Sequence, residues 1–367
     1  MRTIIGENYF AGIKDELILF ENDATVFSKL DAFILKYKQY TKLFFISYDL
    51  KNKIEDLKSE NSDNISFPML HCIVPEKALN KKEFESSNVG NQNITFSPEF
   101  TKEEYLSKIR KIKNHIQKGD IYETNFCYNW ESYSKLNDGY QLFKKLEKLT
   151  KAPFSAYVEL NNHIILSASP ERFLKRRGNQ LTSQPIKGTS KRSNDKITDQ
   201  KLIAKLKSDP KERAENIMIV DLVRNDLSKV SVKNSVTVDE LCQVYTFENI
   251  HQMISTVTCE VTSKTSFSEI LKALFPMGSM TGVPKIKAME LMEEYETSKR
   301  GLYSGTIGLM HPNGDFDLNV VIRTIIYNKA NECLSFKVGG AITIDSIPEK
   351  EYEETLIKAD ALIKSCQ

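Results

Sequence analysis

Residues 101–130 read TKEEYLSKIRKIKNHIQKGDIYETNFCYNW, and this stretch decides the fold class. Thr101 followed by Glu104 makes a capping box. Tyr105, Ile109, Ile112 and Ile116 then recur at helical spacing, and Gly119 is placed to close the helix. The pattern next becomes an alternation. Tyr122, Thr124, Phe126, Tyr128 and Trp130 share one face of a strand, and Glu123, Asn125 and Cys127 point the other way. Downstream, residues 154–183 read as two hairpins turning near Asn161-Asn162 and Gly178-Asn179. Lys211 to Leu227 reads as a helix, and Val283-Pro284 opens another with proline in its first turn. Strands are predicted at 302–310, 316–327 and 333–340, with a Pro-Asn-Gly turn at 312–314, and a final helix begins near Pro348. Upstream of residue 97 the signals are weaker. Short apolar runs such as Leu43-Phe44-Phe45-Ile46 alternate with polar loops at Lys51–Asn64 and Asn80–Asn93. Long antiparallel runs with interspersed helices indicate an α+β fold.

Bulk composition excludes several classes. The 367 residues are 40% hydrophobic and 27% charged, an ordinary globular balance. Fifty-one basic residues against 49 acidic ones leave a net charge of +2, which offers no electrostatic footprint for nucleic acid or an anionic membrane. No apolar run approaches the roughly 20 residues needed to span a bilayer. The N-terminal Met1-Arg2-Thr3-Ile4-Ile5-Gly6-Glu7-Asn8 turns polar too soon for a signal peptide, so a cytoplasmic location is expected. The six cysteines form no CxxC pair, which argues against zinc and redox motifs and leaves carboxylates as the better metal candidates.

Four clusters could carry chemistry. In Pro185-Ile186-Lys187-Gly188-Thr189 a partly buried lysine would have a lowered pKa and could act as a nucleophile, although lone lysines are mostly exposed. Glu212 and Glu215 share one helix face, as do Glu351 and Glu354 with Lys358 a turn further on. Two such faces meeting would form an oxygen-rich site suited to Mg²⁺, yet helical glutamates are more commonly a solvated face. Finally, Gly278-Ser279-Met280-Thr281-Gly282-Val283-Pro284-Lys285 and Gly339-Gly340-Ala341 could bring backbone N–H groups close to an anion, or could be ordinary turns.

Taken in order, these clusters resemble one family, the chorismate-utilising enzymes, which include anthranilate, aminodeoxychorismate, isochorismate and salicylate synthases. The resemblance runs from about Phe100 to Lys364. It takes in Gly119-Asp120-Ile121-Tyr122, Ser169-Pro170-Glu171, the PIKGT block and Ala214-Glu215-Asn216. It continues through Asp221 to Leu227, His251, the GSMTGVPK run, Arg300 to Gly305, Ile322-Arg323-Thr324 and the closing glycines and glutamates. It implies an anthranilate synthase component I-like α/β/β/α fold with two orthogonally packed antiparallel sheets. Residues 1–97 would be a reduced N-terminal part, and 98–367 the chorismate-binding catalytic region. It also implies that Mg²⁺ holds the ring carboxylate of chorismate through Glu215, Glu351 and Glu354, with Glu212 nearby. Thr189, His251, Tyr303, Arg323, Gly339, Gly340 and Lys358 match substrate-binding positions, and an arginine fork suits a carboxylate. Glu171 matches the general acid that protonates the departing C4 hydroxyl.

Two positions bear on which member it is. Aminodeoxychorismate synthases carry lysine where Lys187 stands, and anthranilate synthases typically alanine. The resemblance therefore implies a covalent route in which Lys187 attacks C2 as the C4 hydroxyl leaves, and ammonia then attacks C4 and expels the lysine from C2. Glu123 stands where the water-adding members have a lysine base and the ammonia-using members often have glutamine. Other departures are Ala341 in the closing glycine triplet, Ser190-Lys191-Arg192 after the PIKGT block, and no Leu-Leu-Glu-Ser element near Glu16 to Glu21. The expected activity is conversion of chorismate and ammonia to 4-amino-4-deoxychorismate for p-aminobenzoate and folate synthesis, with C2 amination to anthranilate as the alternative. Ammonia is expected from a separate glutamine amidotransferase subunit.

Overall fold

The computed structural model describes residues 1–84, 92–248 and 250–367. Half of the polar stretch expected at Asn80–Asn93, residues 85–91, lies outside the described residues. Residues 101–130 fold as the capping box and alternation predict. The Thr101 hydroxyl accepts from the Glu104 amide, completing the capping box of the helix Lys102–Lys118, and Gly119 ends that helix at φ +83°. The strand Glu123–Tyr133 follows.

All the named strands join one antiparallel ladder. It starts at the pairing of Glu123–Tyr133 with Cys333–Ile342 and continues through Thr324–Asn328, His163–Ser169, Phe154–Glu159 and Arg2–Ile5. The long strand Asn8–Leu19 carries the ladder on to Leu70–Leu79, Lys42–Ile46, Thr306–Met310, Phe316–Asn319 and Arg172–Arg177. From there Gln180–Gln184 leads to Ile250–Glu260, which Ile186–Lys191 and Thr237–Thr246 also join. A register shift between Ile13 and Asp15 marks where Asn8–Leu19 passes from the first half of the ladder to the second.

Side-chain alternation sorts these strands into layers. Phe126 and Tyr128, Ile164 and Leu166, and Phe336 and Val338 pack against the helices Lys102–Lys118, Gly139–Thr150 and Pro348–Ser365. On the other half, Phe44 and Ile46 with Leu70 and Cys72 pack against Val26–Lys36, Pro210–Ser228 and Phe267–Leu274. The remaining faces meet each other: Leu43, Phe45 and Ile73 from one half touch Val158, Ile165 and Ile326 from the other. Helices, sheet, sheet, helices is the α/β/β/α order that the resemblance implies. The six cysteines are free and buried, and no described helix is long and apolar enough to cross a membrane.

One predicted strand is broken. Residues 316–327 form Phe316–Asn319 and Thr324–Asn328, with 320–323 irregular between them. Arg323 stands at φ +51°, a conformation unfavourable for a residue with a Cβ. The break sits where the chain passes from the second sheet to the first, beside the functional residues described next.

Candidate active site

Lys187 lies on the strand Ile186–Lys191, whose pairing with Ile250–Glu260 shifts register between Ile186 and Thr189. Gly188, at φ +86°, allows that irregularity, and a Cβ there would lie 3.0 Å from Glu212 Oε2. The bulge therefore sits directly against the helix Pro210–Ser228, whose first turns carry Glu212 and Glu215. Asp209 caps that helix, accepting from the amides of Lys211 and Glu212. From the opposite side comes Glu123, the first residue of its strand. Lys187 Nζ donates to Glu123 Oε1 at 2.6 Å, and the two side chains are 11% and 2% exposed.

Glu171 follows the strand His163–Ser169. Its amide donates to Ser169 Oγ at 3.3 Å, and that hydroxyl donates to Val320 O at 2.6 Å. Burial pushes the Glu171 carboxyl up to about 7, against the opposing pull of a hydrogen bond from Ser279 and the charges of Lys187 and Arg323. Glu215 is also pushed up to about 7, again chiefly by burial, with Lys187 drawing it down and Glu123 raising it. Its Oε1 is buried without a hydrogen-bond partner.

Lys187 departs from the sequence expectation. Burial alone would lower its pKa, but the carboxylates of Glu123, Glu215 and Glu171 outweigh burial and hold it above the ordinary lysine value. In this arrangement it is an ammonium ion paired with Glu123, not a neutral amine.

The helix Pro348–Ser365 supplies Glu351, Glu354 and Lys358. Lys358 Nζ bonds to Glu354 Oε1 at 2.7 Å and to Gly339 O at 2.8 Å. Its charge holds the Glu354 carboxyl below the usual range. A Cβ on Gly340 would lie 3.7 Å from Glu351 Oε2 and 3.7 Å from Glu354 Oε1, so this glycine lies against the acidic face. Lys211 joins the two helices, with its Nζ 3.8 Å from Glu215 Oε1 and 3.4 Å from Glu351 Oε1.

The two glutamate pairs thus converge, with a lysine bridging them. Among the described residues no group of three or more His, Cys, Asp or Glu side chains is gathered closely enough to hold a metal ion. The donor chemistry nevertheless fits a hard cation. All four side chains offer carboxylate oxygens, one of them orphaned, and the cation that bridges the helices, Lys211, is 42% exposed.

The other expected substrate contacts divide. Arg323 is close enough to Glu171 for each to influence the other's ionisation. Tyr303 is buried nearby, its phenol raised by burial, and Glu171 adds to that rise. Thr189 is exposed two residues beyond Lys187. His251 differs from the expectation of a direct substrate contact. It is fully enclosed, with Nε2 2.8 Å from Asp199 Oδ1 and Nδ1 2.9 Å from Thr246 Oγ1, so both ring nitrogens are engaged within the protein. Through the Asp199 contact it ties the helix Lys196–Ser208 to the strand Ile250–Glu260. Two site residues were not singled out from the sequence. Ser279 lay inside the quoted glycine run, but Lys211 carried no distinguishing signal.

Comparison with known proteins shows the family and the fold. The sequence profile described as chorismate binding enzyme matches residues 6–364. Aminodeoxychorismate synthase component 1 of Escherichia coli is 37% identical over 79% of this chain, which spans 63% of that protein's length. Anthranilate synthase component 1 of Bacillus subtilis is 36% identical over 90% of this chain and 65% of its own. Among solved structures, anthranilate synthase component I from Streptococcus pneumoniae superposes with a TM-score of 0.85 at 23% identity, covering 99% of this chain and 92% of that one.

Proposed function

The chain belongs to the chorismate-binding enzymes, and from that premise we propose that it aminates chorismate at C4, as the large component of an aminodeoxychorismate synthase. The observation that carries this reading is Lys187, 11% exposed and set among the carboxyl groups of Glu123, Glu215 and Glu171, the last poised at about 7. The anthranilate synthase relatives are of comparable identity, so similarity alone does not choose between C4 and C2. A lysine at this position favours C4.

In this reading Arg323 and Lys358 receive the two carboxylates of chorismate. Glu171, protonated in part near neutrality, gives its proton to the C4 hydroxyl as that group leaves. Lys187 forms a bond to C2, the ring double bonds shift, and the C4–O bond breaks to release water. Ammonia then bonds to C4, the double bonds shift back, and the C2–Nζ bond breaks. Glu215, Glu351 and Glu354, with Glu212 nearby, would hold Mg²⁺, which supplies charge neutralisation for the ring carboxylate. Nitrogen would come from a glutamine amidotransferase subunit, in keeping with the "component 1" in the relatives' names.

The test is product identity. Chorismate, Mg²⁺ and an ammonium salt are expected to yield 4-amino-4-deoxychorismate, which an added aminodeoxychorismate lyase converts to p-aminobenzoate. Anthranilate or isochorismate as the main product would refute the assignment.

A further inference from the structure

If Lys187 is the nucleophile, its proton must leave before its lone pair can attack, and in this structure the lysine is held charged. Three carboxyl groups face it: Glu123, Glu215 and Glu171. Glu171 must keep its own proton for the departing hydroxyl. Glu215 belongs to the acidic face that meets Lys211. Only Glu123 has a hydrogen bond to Nζ, at 2.6 Å. We propose that Glu123 is a catalytic residue, the base that takes the proton of Lys187 as the lysine attacks and returns it as the lysine leaves.

The geometry suits this exchange. Glu123 is 2% exposed, and its Oε2 is buried with no hydrogen-bond partner. Lys187 is therefore the hydrogen-bonded partner of this carboxylate among the described residues, and the proton has a direct path of 2.6 Å from Nζ to Oε1. The strand Gly282–Val283 pairs with Thr124 and Glu123 and fixes the glutamate backbone.

The steps balance. In the first displacement one proton passes from Nζ to Glu123, Nζ bonds to C2, and the C4 hydroxyl leaves as water with the proton of Glu171. In the second, ammonia bonds to C4 and gives its surplus proton to Glu171, while the C2–Nζ bond breaks and Glu123 reprotonates the amine. The net change is chorismate plus ammonia to 4-amino-4-deoxychorismate plus water, with both glutamates restored.

This inference rests on the Lys187 reading, so the experiment monitors the first displacement alone. Enzyme with Mg²⁺ is mixed with chorismate without any nitrogen source, quenched at intervals, and the Lys187 adduct is quantified by peptide mass spectrometry. Glu123→Gln keeps the shape and a hydrogen-bond acceptor but cannot take a proton. Near neutral pH it is expected to form the adduct about 10²-fold more slowly than wild type, the scale of a positioned base. Because the variant must lose its lysine proton to solvent, the ratio of wild-type to variant rates should shrink about tenfold per pH unit as pH rises. Glu171 is common to both proteins and cancels in that ratio. Glu123→Asp, a carboxylate one methylene short, should be slower than wild type with the wild-type pH dependence. A ratio near one, a ratio constant with pH, or a Glu123→Asp profile that climbs with pH relative to wild type would overturn the proposal. Efficient C4 amination by a wild-type enzyme that forms no Lys187 adduct would instead overturn the nucleophile reading beneath it.

Discussion

A carboxyl group donates protons near neutrality only where its charged form is poorly solvated, and Glu171 meets that condition through burial. Its raised pKa sets the sign of the pH dependence. The acid form dominates below about 7 and is lost as pH rises through that value. At constant free ammonia, the rate of hydroxyl departure should be level at lower pH and fall about tenfold per unit well above 7. Initial rates across pH 6 to 9 check this, with a flat profile counting against Glu171 as the acid. The same scale shows what was legible from sequence. The identity of Lys187 and Glu171 was readable from short motifs, because such motifs constrain local backbone. The charge state of Lys187 was not, because it depends on Glu123, 64 positions away in sequence. The enclosure of His251 was not legible for the same reason: its partner Asp199 is 52 positions distant and binds it from another element.

At the scale of elements, two helices and two strand starts deliver the site, and a buried arginine fastens them. Arg300 and Glu296 meet through paired bonds of 2.8 and 2.7 Å, with side chains 2% and 7% exposed. The arginine also donates to Met280 O at 2.7 Å and Asn125 O at 2.8 Å. It thus joins the turn bearing Ser279, the partner of Glu171, to the strand bearing Glu123. Arg300→Met would strand the Glu296 carboxylate in the interior, and denaturant unfolding should show a loss of about 3–5 kcal/mol. Adding Glu296→Met should restore part of it, whereas a single-variant loss under about 1 kcal/mol would contradict this bracing role. Helices with clear caps and periodicity were predictable, as Lys102–Lys118 shows. The break at 320–323 was not, because Val320-Val321-Ile322 is an apolar run rich in β-branched residues, as a buried strand would be, and only the passage between sheets interrupts it.

Across the whole molecule, the N-terminal residues are woven into the same ladder as the catalytic ones. Lys42–Ile46 pairs with Thr306–Met310, and Arg2–Ile5 with Phe154–Glu159. Phe10, Leu43, Phe45, Phe67 and Ile73 furnish much of the core between the sheets. Signals before residue 97 were few, since the partners of Arg2–Ile5 and Lys42–Ile46 lie far along the chain. Residues 98–367 produced alone should therefore fail to unfold cooperatively, having lost those partners and exposed that core. A cooperative melt matching the full chain would show that the two parts are separable.

The central claim, covalent C4 amination through Lys187, is tested most directly by Lys187→Ala. Purified variant and wild type are each given chorismate, Mg²⁺ and an ammonium salt, and 4-amino-4-deoxychorismate is quantified alongside residual chorismate binding. The account predicts that formation of this product falls about 10²-fold or more while chorismate still binds. C4 amination at near wild-type rate by the variant would contradict it.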